Sequence, residues 1–227
     1  MCKRRRWSTC SVIGVALSVL GCSPLQQPMV VPDAADTGEQ PDAGSQPDAP
    51  PVATVPTLPL TISDYFIPGG YMGDGEISPT AVVVATTACK QPRPGGVTGD
   101  CYRITYTPTS KGWAGVYWQY PLRNWGTMPG KQVEVGATRV TFYAAAETGG
   151  QLVDFIAGEN DPKLPYHDSV TAKITVQLTT ALTQYQIDIS GQAYDSGVLG
   201  AFAWSLAAPL GSSSPITLYL DSLRWEK

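Results

Sequence analysis

Between residues 81 and 220 the sequence is a series of short β-branched and aromatic runs separated by glycine and proline turns, and this pattern most constrains the fold. Ile174-Thr175-Val176-Gln177-Leu178 places three aliphatic side chains on one face. Tyr185-Gln186-Ile187-Asp188-Ile189 does the same, with Gln186 and Asp188 directed outward. Phe202–Leu206 and Ile216–Leu220 repeat the alternation. Period-2 alternation marks a strand with one buried face. Further candidate strands are Ala81–Thr86, Tyr102–Tyr106, Gly115–Tyr120, Arg139–Ala145 and Leu152–Ile156. The punctuation is Pro68-Gly69-Gly70, Pro94-Gly95-Gly96, Pro129-Gly130, Gly149-Gly150, Ser190-Gly191 and Gly211 through Pro215. No stretch keeps a 3.6-residue apolar period over three turns. Many short strands at regular spacing predict an all-β chain, folded as an antiparallel β-sandwich or jelly roll over residues 58–227.

The first 57 residues are different material. Lys3, Arg4, Arg5 and Arg6 precede an apolar run from Ser11 to Leu20. That run is too short to span a bilayer, which takes about 20 residues. A basic start followed by a short apolar core reads as a secretory signal. The segment ends Ser18-Val19-Leu20-Gly21-Cys22, which resembles the lipobox of bacterial lipoproteins. The resemblance implies removal of residues 1–21, diacylation of the Cys22 sulfur and acylation of the new N-terminus. Two or three acyl chains at one site give stable membrane anchoring. Ser23 stands where an aspartate would signal retention, and by the same resemblance this implies the outer membrane of a Gram-negative bacterium.

Residues 22–57 form the next segment. From Ser23 to Thr57 there are eight prolines, five acids, no Lys or Arg and no aromatic ring, and Gln-Pro-Asp-Ala occurs at Gln40–Ala43 and again at Gln46–Ala49. Such a composition cannot bury enough apolar surface to offset its ordering entropy, and it reads as a disordered, locally extended tether.

Charge and cysteine content narrow the function classes. Charged residues are 15% of the chain against about a quarter in an average soluble domain. All 19 acids lie beyond Cys22, whereas four of the 15 bases precede it, so the processed chain is decidedly acidic. That balance argues against nucleic acid as a partner. One histidine, His167, and few cysteines leave little for a His- or Cys-ligated zinc site. Cys2 and Cys10 fall in the signal and Cys22 carries lipid. Cys89 and Cys101 remain, and an oxidising compartment pairs them as a disulfide around the Pro/Gly-rich loop Lys90–Asp100. Loop closure of this size contributes about 3 kcal/mol.

The densest functional signal is Trp113, Tyr117, Trp118, Tyr120 and Trp125, all within thirteen residues. A strand over Gly115–Tyr120 directs Val116, Trp118 and Tyr120 to one face and Tyr117 and Gln119 to the other. Both faces then carry rings, and only one can be core. An apolar sugar face stacks on aromatic rings, and sugar hydroxyls need amide or charged partners such as Gln119, Arg123 and Asn124. The predicted carbohydrate-binding set is therefore Trp113, Tyr117, Trp118, Gln119, Asn124 and Trp125, with a polysaccharide or other glycan as partner and a monomer as the simplest state.

Three stretches carry a second resemblance. Ser63-Asp64-Tyr65-Phe66 with Gly70-Tyr71-Met72-Gly73-Asp74, then Gly99–Tyr106 with Gly112–Val116, and finally Leu218–Glu226 are similar to the first, central and closing strands of carbohydrate-binding modules with a galactose-binding-like β-sandwich. The resemblance spans nearly all of residues 60–227. It implies a glycan site either on the concave sheet face or in the loops at one end. It also implies a structural calcium held by Asp64 and Asp221, although Ser222 stands where such modules often have a second aspartate.

Enzymes are the competing class. The sequence contains no Gly-x-Ser-x-Gly, phosphate loop or His-Glu-x-x-His motif. A jelly-roll glycoside hydrolase would need two carboxylates about 5–10 Å apart across a cleft. Glu76, Glu134, Glu147, Asp154 and Glu159 are available, but no spacing singles out a pair. The expectation is a non-catalytic glycan-binding lipoprotein. An envelope adhesion or scaffold protein with no sugar site is the alternative, and it would bury its aromatic rings.

Overall fold

The computed structural model describes residues 54–97, 99–158 and 161–227. The signal segment, Cys22 and the tether up to residue 53 lie outside them, as does Glu159. The described chain is an antiparallel β-sandwich. Its strands are β1 (Leu60–Thr61), β2 (Ile67–Gly73), β3 (Val82–Thr86), β4 (Cys101–Tyr106), β5 (Trp113–Gln119), β6 (Arg139–Ala146), β7 (Leu152–Ala157), β8 (Ala172–Gln177), β9 (Thr183–Asp188), β10 (Gly200–Ala207) and β11 (Ile216–Glu226). A six-stranded sheet runs β3-β4-β11-β6-β9, with β1 also pairing with β11. A five-stranded sheet runs β2-β5-β10-β7-β8.

Alternation decides which side chains meet between the sheets. Val116 and Trp118 from β5, Phe202 and Trp204 from β10, and Phe155 from β7 point inward and are fully buried. They meet Tyr102, Ile104, Phe142, Leu218, Leu220 and Trp225 from the facing sheet. The rings form a relay that crosses between sheets. Tyr102 meets Trp118 edge-on at 5.0 Å, Trp118 meets Phe202 at 5.5 Å, Phe202 meets Phe142 at 5.0 Å, and Phe142 meets Phe155 at 4.5 Å. Edge-to-face geometry aligns ring edges with ring faces and adds to the burial term.

Buried polar groups tie the loops to this core. Asp74, in the single helical turn α1 (Asp74–Ile77), is fully buried. It accepts the Tyr106 hydroxyl at 2.7 Å and the N–H groups of Thr109 and Lys111 at 2.8 and 2.7 Å. Burial pushes its carboxyl upward, but the hydrogen bonds from Thr109, Tyr106 and Lys111 outweigh that and hold it well below the ordinary range. Asp168, also buried, accepts the N–H groups of Leu199 and Gly200 at 2.6 and 2.9 Å and so fixes the start of β10. The Trp225 indole donates to the Ala201 carbonyl at 2.9 Å, across the sandwich. Ahead of β1, Pro56 is buried and its carbonyl accepts the Glu134 N–H at 3.1 Å.

One turn expectation is corrected. Pro68-Gly69-Gly70 lies inside edge strand β2, with a bulge between Pro68 and Gly70. Edge strands tolerate proline, and the glycines are there for clearance. A Cβ on Gly70 would lie 2.6 Å from the Gln119 amide carbon, and one on Gly69 would overlap the Leu122 side chain.

The disulfide between Cys89 and Cys101 is formed. It closes a loop from which Arg93 reaches Asp221, its Nε 2.7 Å from one carboxylate oxygen and its terminal nitrogen 2.6 Å from the other. The predicted calcium pair therefore does not fit. Both Asp221 oxygens are engaged by a guanidinium, and Asp64 lies exposed on the turn Ile62–Asp64. Calcium takes six to eight oxygens, and a bidentate arginine already engages both oxygens of Asp221. Cys89 and Cys101 lie beside Asp221, but their sulfurs are spent on each other.

Candidate functional site

The outward face of the five-stranded sheet differs from its inward face in kind. Because β5 alternates, Trp113, Gly115 and Tyr117 point away from the core while Ala114, Val116 and Trp118 point into it. Register aligns the outward residues in rows. One row is Met72, Gly115, Ser205, Asp154 and Thr175. The next is Gly70, Tyr117, Ala203, Ile156 and Lys173. Small residues at the centre leave a shallow floor, and larger side chains rise beside it.

Trp113 and Trp125 form the wall. Trp113 is 39% exposed and Trp125 37%. Gly73 lets Trp113 lie down: with φ of 64°, its missing Cβ would stand 2.9 Å from the indole ring and 2.3 Å from the Trp113 carbonyl oxygen. Trp125 projects from the loop after β5 and meets Tyr117 edge-on at 6.1 Å, at an interplanar angle of 84°. The Tyr117 hydroxyl donates to the Gly158 carbonyl at 3.3 Å. Together with Tyr71, Met72, Gly73 and Glu76, the two tryptophans line a cavity of about 300 Å³. An adjoining cavity of about 510 Å³ shares Tyr71, Glu76 and Trp125 and adds Gly69, Gly75, Pro79 and Arg123. Burial pushes the Tyr71 hydroxyl pKa up, and the nearby Arg123 charge lowers it in part, so the phenol stays a neutral donor.

The six predicted glycan-binding residues divide into two groups. Trp113, Tyr117 and Trp125 lie on the outward side. Trp118, Gln119 and Asn124 are fully buried and cannot touch an external ligand, which corrects the expectation for those three. Trp118 belongs to the core relay. Asn124 builds the loop that presents Trp125. Its side-chain oxygen accepts the N–H groups of Gly126, Thr127 and Met128, each at 3.1 Å, and its amide nitrogen donates to the carbonyls of Tyr120 and Met128 at 3.2 and 2.8 Å. Gln119 donates to the Asn124 carbonyl at 3.1 Å, beneath the space left by Gly70. These amides act on the loop backbone rather than on a ligand.

Sequence reasoning did not single out Tyr71, Met72 and Glu76 as site residues. Tyr71 and Met72 follow from β2 being a strand next to β5, and Glu76 from the helical turn α1 after it; the Pro-Gly-Gly at the start of β2 concealed that. Among the described residues, the carboxylates considered for catalysis are dispersed and engaged. Glu134 accepts the Leu58 N–H and the Lys227 ammonium, and Glu147 accepts the Tyr219 hydroxyl. Asp154 accepts Thr175 at 2.6 Å and Lys173 at 2.9 Å, and Glu76 pairs with Lys111 at 3.1 Å. The Thr175 hydrogen bond, followed by Lys173, holds the Asp154 carboxyl below its ordinary range against a partial burial penalty. His167 is exposed beside a smaller cavity with Tyr166 and Ser196.

No protein-family profile matches the sequence, and no curated protein matches it either. Solved structures do. The family 11 carbohydrate-binding module of the cellulosomal cellulase Lic26A-Cel5E of Clostridium thermocellum aligns over 77% of this chain and 96% of its own, at 13% identity and a TM-score of 0.44. A family 30 carbohydrate-binding module aligns over 74% and 97%, at 15% identity and 0.47. An agarase, AgWH50C, aligns over 75% of this chain but 26% of its own, at 12% identity and 0.43.

Proposed function

We propose that this chain is a non-catalytic glycan-binding lipoprotein. In this reading acyl chains on Cys22 hold it at the outer membrane, the Pro-rich segment spaces it from the lipid, and the outward face of the five-stranded sheet takes a polysaccharide. The observation that carries the reading is the pair of partly exposed tryptophans, Trp113 and Trp125, lining one cavity above a floor of glycine, alanine and serine. Large rings held half-exposed on a rigid sheet forgo burial free energy, and a ligand with an apolar face recovers it. A pyranose has such a C–H face. Its equatorial hydroxyls find the Tyr71 hydroxyl and the Glu76 carboxylate in the same cavity.

Two observations favour this over the alternatives. A scaffold domain without a sugar site would bury its rings, whereas Trp113 and Trp125 are open. A glycosidase needs a carboxylic acid that stays protonated near neutral pH, and Asp154, on the floor of this face, is held the other way.

The test is retention of the full chain on affinity gels containing β-glucan, xylan, mannan or agarose. At least one polymer should retard the protein, and Trp113→Ala with Trp125→Ala should abolish the retardation without lowering the melting temperature by more than a few degrees. Retardation unchanged in the double variant would place binding elsewhere. Release of reducing sugar that a single Glu→Gln change removes would make the protein an enzyme. Palmitate labelling that is lost in Cys22→Ser checks the anchor.

A further inference from the structure

The loop that presents Trp125 also presents Arg123, and its backbone makes that placement unusual. The Asn124 N–H donates to the Pro121 carbonyl at 3.1 Å, closing a four-residue turn in which Arg123 is the third residue. Arg123 has φ of 60°. This is the left-handed region, where glycine or asparagine is unstrained and an ordinary side chain is not. An arginine at a position that backbone sterics assign to glycine calls for a compensating use of its side chain.

The side chain lines the larger cavity with Trp125, Tyr71 and Glu76. Arg123 is exposed and forms no ion pair or hydrogen bond among the described residues. Among the described residues, two acids near the cleft are already matched. Glu76 pairs with Lys111 at 3.1 Å, and Asp154 with Lys173 at 2.9 Å. Among the described charges that line the cleft, Glu76 has a cation partner and Arg123 has no acid partner, and the planar fork of Arg123 suits a carboxylate or sulfate.

Resting on the glycan-binding reading, we infer that the cleft selects an anionic polysaccharide. The sugar ring stacks at Trp113 and Trp125, and a carboxylate or sulfate ester on the same or the next residue is held by Arg123. The shared chemistry is a planar or tetrahedral oxyanion next to an apolar sugar face.

Matched polymer pairs test this with the full chain: a soluble β-1,4-glucan against its C6-oxidised form, and agarose against a sulfated galactan. Binding is measured by affinity electrophoresis and calorimetry at two salt concentrations. At least one anionic polymer should bind about tenfold more tightly than its neutral counterpart, and its affinity should fall with salt. Which arm responds identifies carboxylate or sulfate. Arg123→Gly should erase that preference and its salt dependence, so that the anionic polymer binds no more tightly than its neutral counterpart. Because glycine relieves the strained turn, the variant should melt no lower than the parent, so lost binding cannot be assigned to lost fold. A preference that survives Arg123→Gly, or neutral polymers that bind as well as their anionic partners, would overturn the inference. If Trp113→Ala abolishes neutral binding while Arg123→Gly changes nothing, the cleft stands and its anion selectivity fails. If no polymer of either kind binds, both readings fail together.

Discussion

The two outward faces of the sandwich are built from the same kind of strand and end in opposite chemical states. On the six-stranded sheet several outward polar groups are matched to one another. Arg93 forks onto Asp221, Arg139 meets Glu226 at 3.3 Å, Tyr219 donates to Glu147 at 2.7 Å, and Lys90 lies over the Tyr219 ring at 4.6 Å. On the five-stranded sheet, rings stand half open over glycine and alanine, and Arg123 has no acid partner among the described residues. Both faces are wet and both contain aromatic rings. What separates them is whether the polar and apolar groups have already found each other. A face that satisfies itself offers a ligand little, and one left incomplete keeps interaction free energy for a partner.

The sharpest way to break the comparison lies along β5. Trp118 and Trp113 are on one strand, one sealed inside and one open outside. Trp118→Ala should cost about 3–5 kcal/mol of stability, the usual range for a fully buried large ring. Trp113→Ala should cost less than about 1 kcal/mol while weakening glycan binding about tenfold. Denaturant unfolding and affinity electrophoresis on the two variants give this double dissociation. Equal effects would mean that the faces are not functionally distinct.

Next in size is Asp74→Asn, which removes a buried charge from three donors. It should cost about 2–3 kcal/mol, read as a lower urea midpoint. The pH dependence follows from the sign of the shift. The folded carboxyl lies below its unfolded value, so its stabilisation is fully present above about pH 5 and is lost as pH falls through the lower folded value. Stability of the parent should decline in acid, and Asp74→Asn should flatten that decline.

Asn124→Ala should cost about 2 kcal/mol through its backbone hydrogen bonds. It should also weaken binding although Asn124 touches no ligand, because Trp125 and Arg123 would lose their mounting. The smallest effect falls on the matched face. Adding calcium or a chelator should leave the melting temperature unchanged, since Arg93 already occupies Asp221. A clear calcium-dependent rise would reverse the reading of that pair.

Strand windows were legible where alternation was clean. Arg139–Ala145 and Leu152–Ile156 match β6 and β7 to within a residue at either end. β2 was not legible from alternation and turn signals, because Pro-Gly-Gly looks like a turn unless it is known that Gln119 and Leu122 need the room; only the resemblance through Gly70–Gly73 pointed to a strand there. For the site, period 2 separated Tyr117 from Trp118 but could not say which face was core. That depends on which strands β5 pairs with, and β2 and β10 are distant in sequence. The amides misled for a physical reason. An asparagine beside a tryptophan in a glycine loop suits a sugar hydroxyl and a backbone N–H equally, and Asn124 is taken by three backbone donors before any ligand arrives. At the Asp64–Asp221 pair, the engagement of Asp221 by Arg93 was not legible, because Arg93 comes from the disulfide loop, far away in the chain.

The division of the indoles between the two sides of the sheets makes the molecule its own optical probe. Trp118, Trp204 and Trp225 are sealed among rings and aliphatic chains, whereas Trp113 and Trp125 face solvent across a single cavity. Iodide in the medium should therefore quench only the red edge of the emission. A sugar laid across the cleft should turn that same red-edge component blue and shield it from iodide, and the buried component should stay constant as an internal standard within each spectrum.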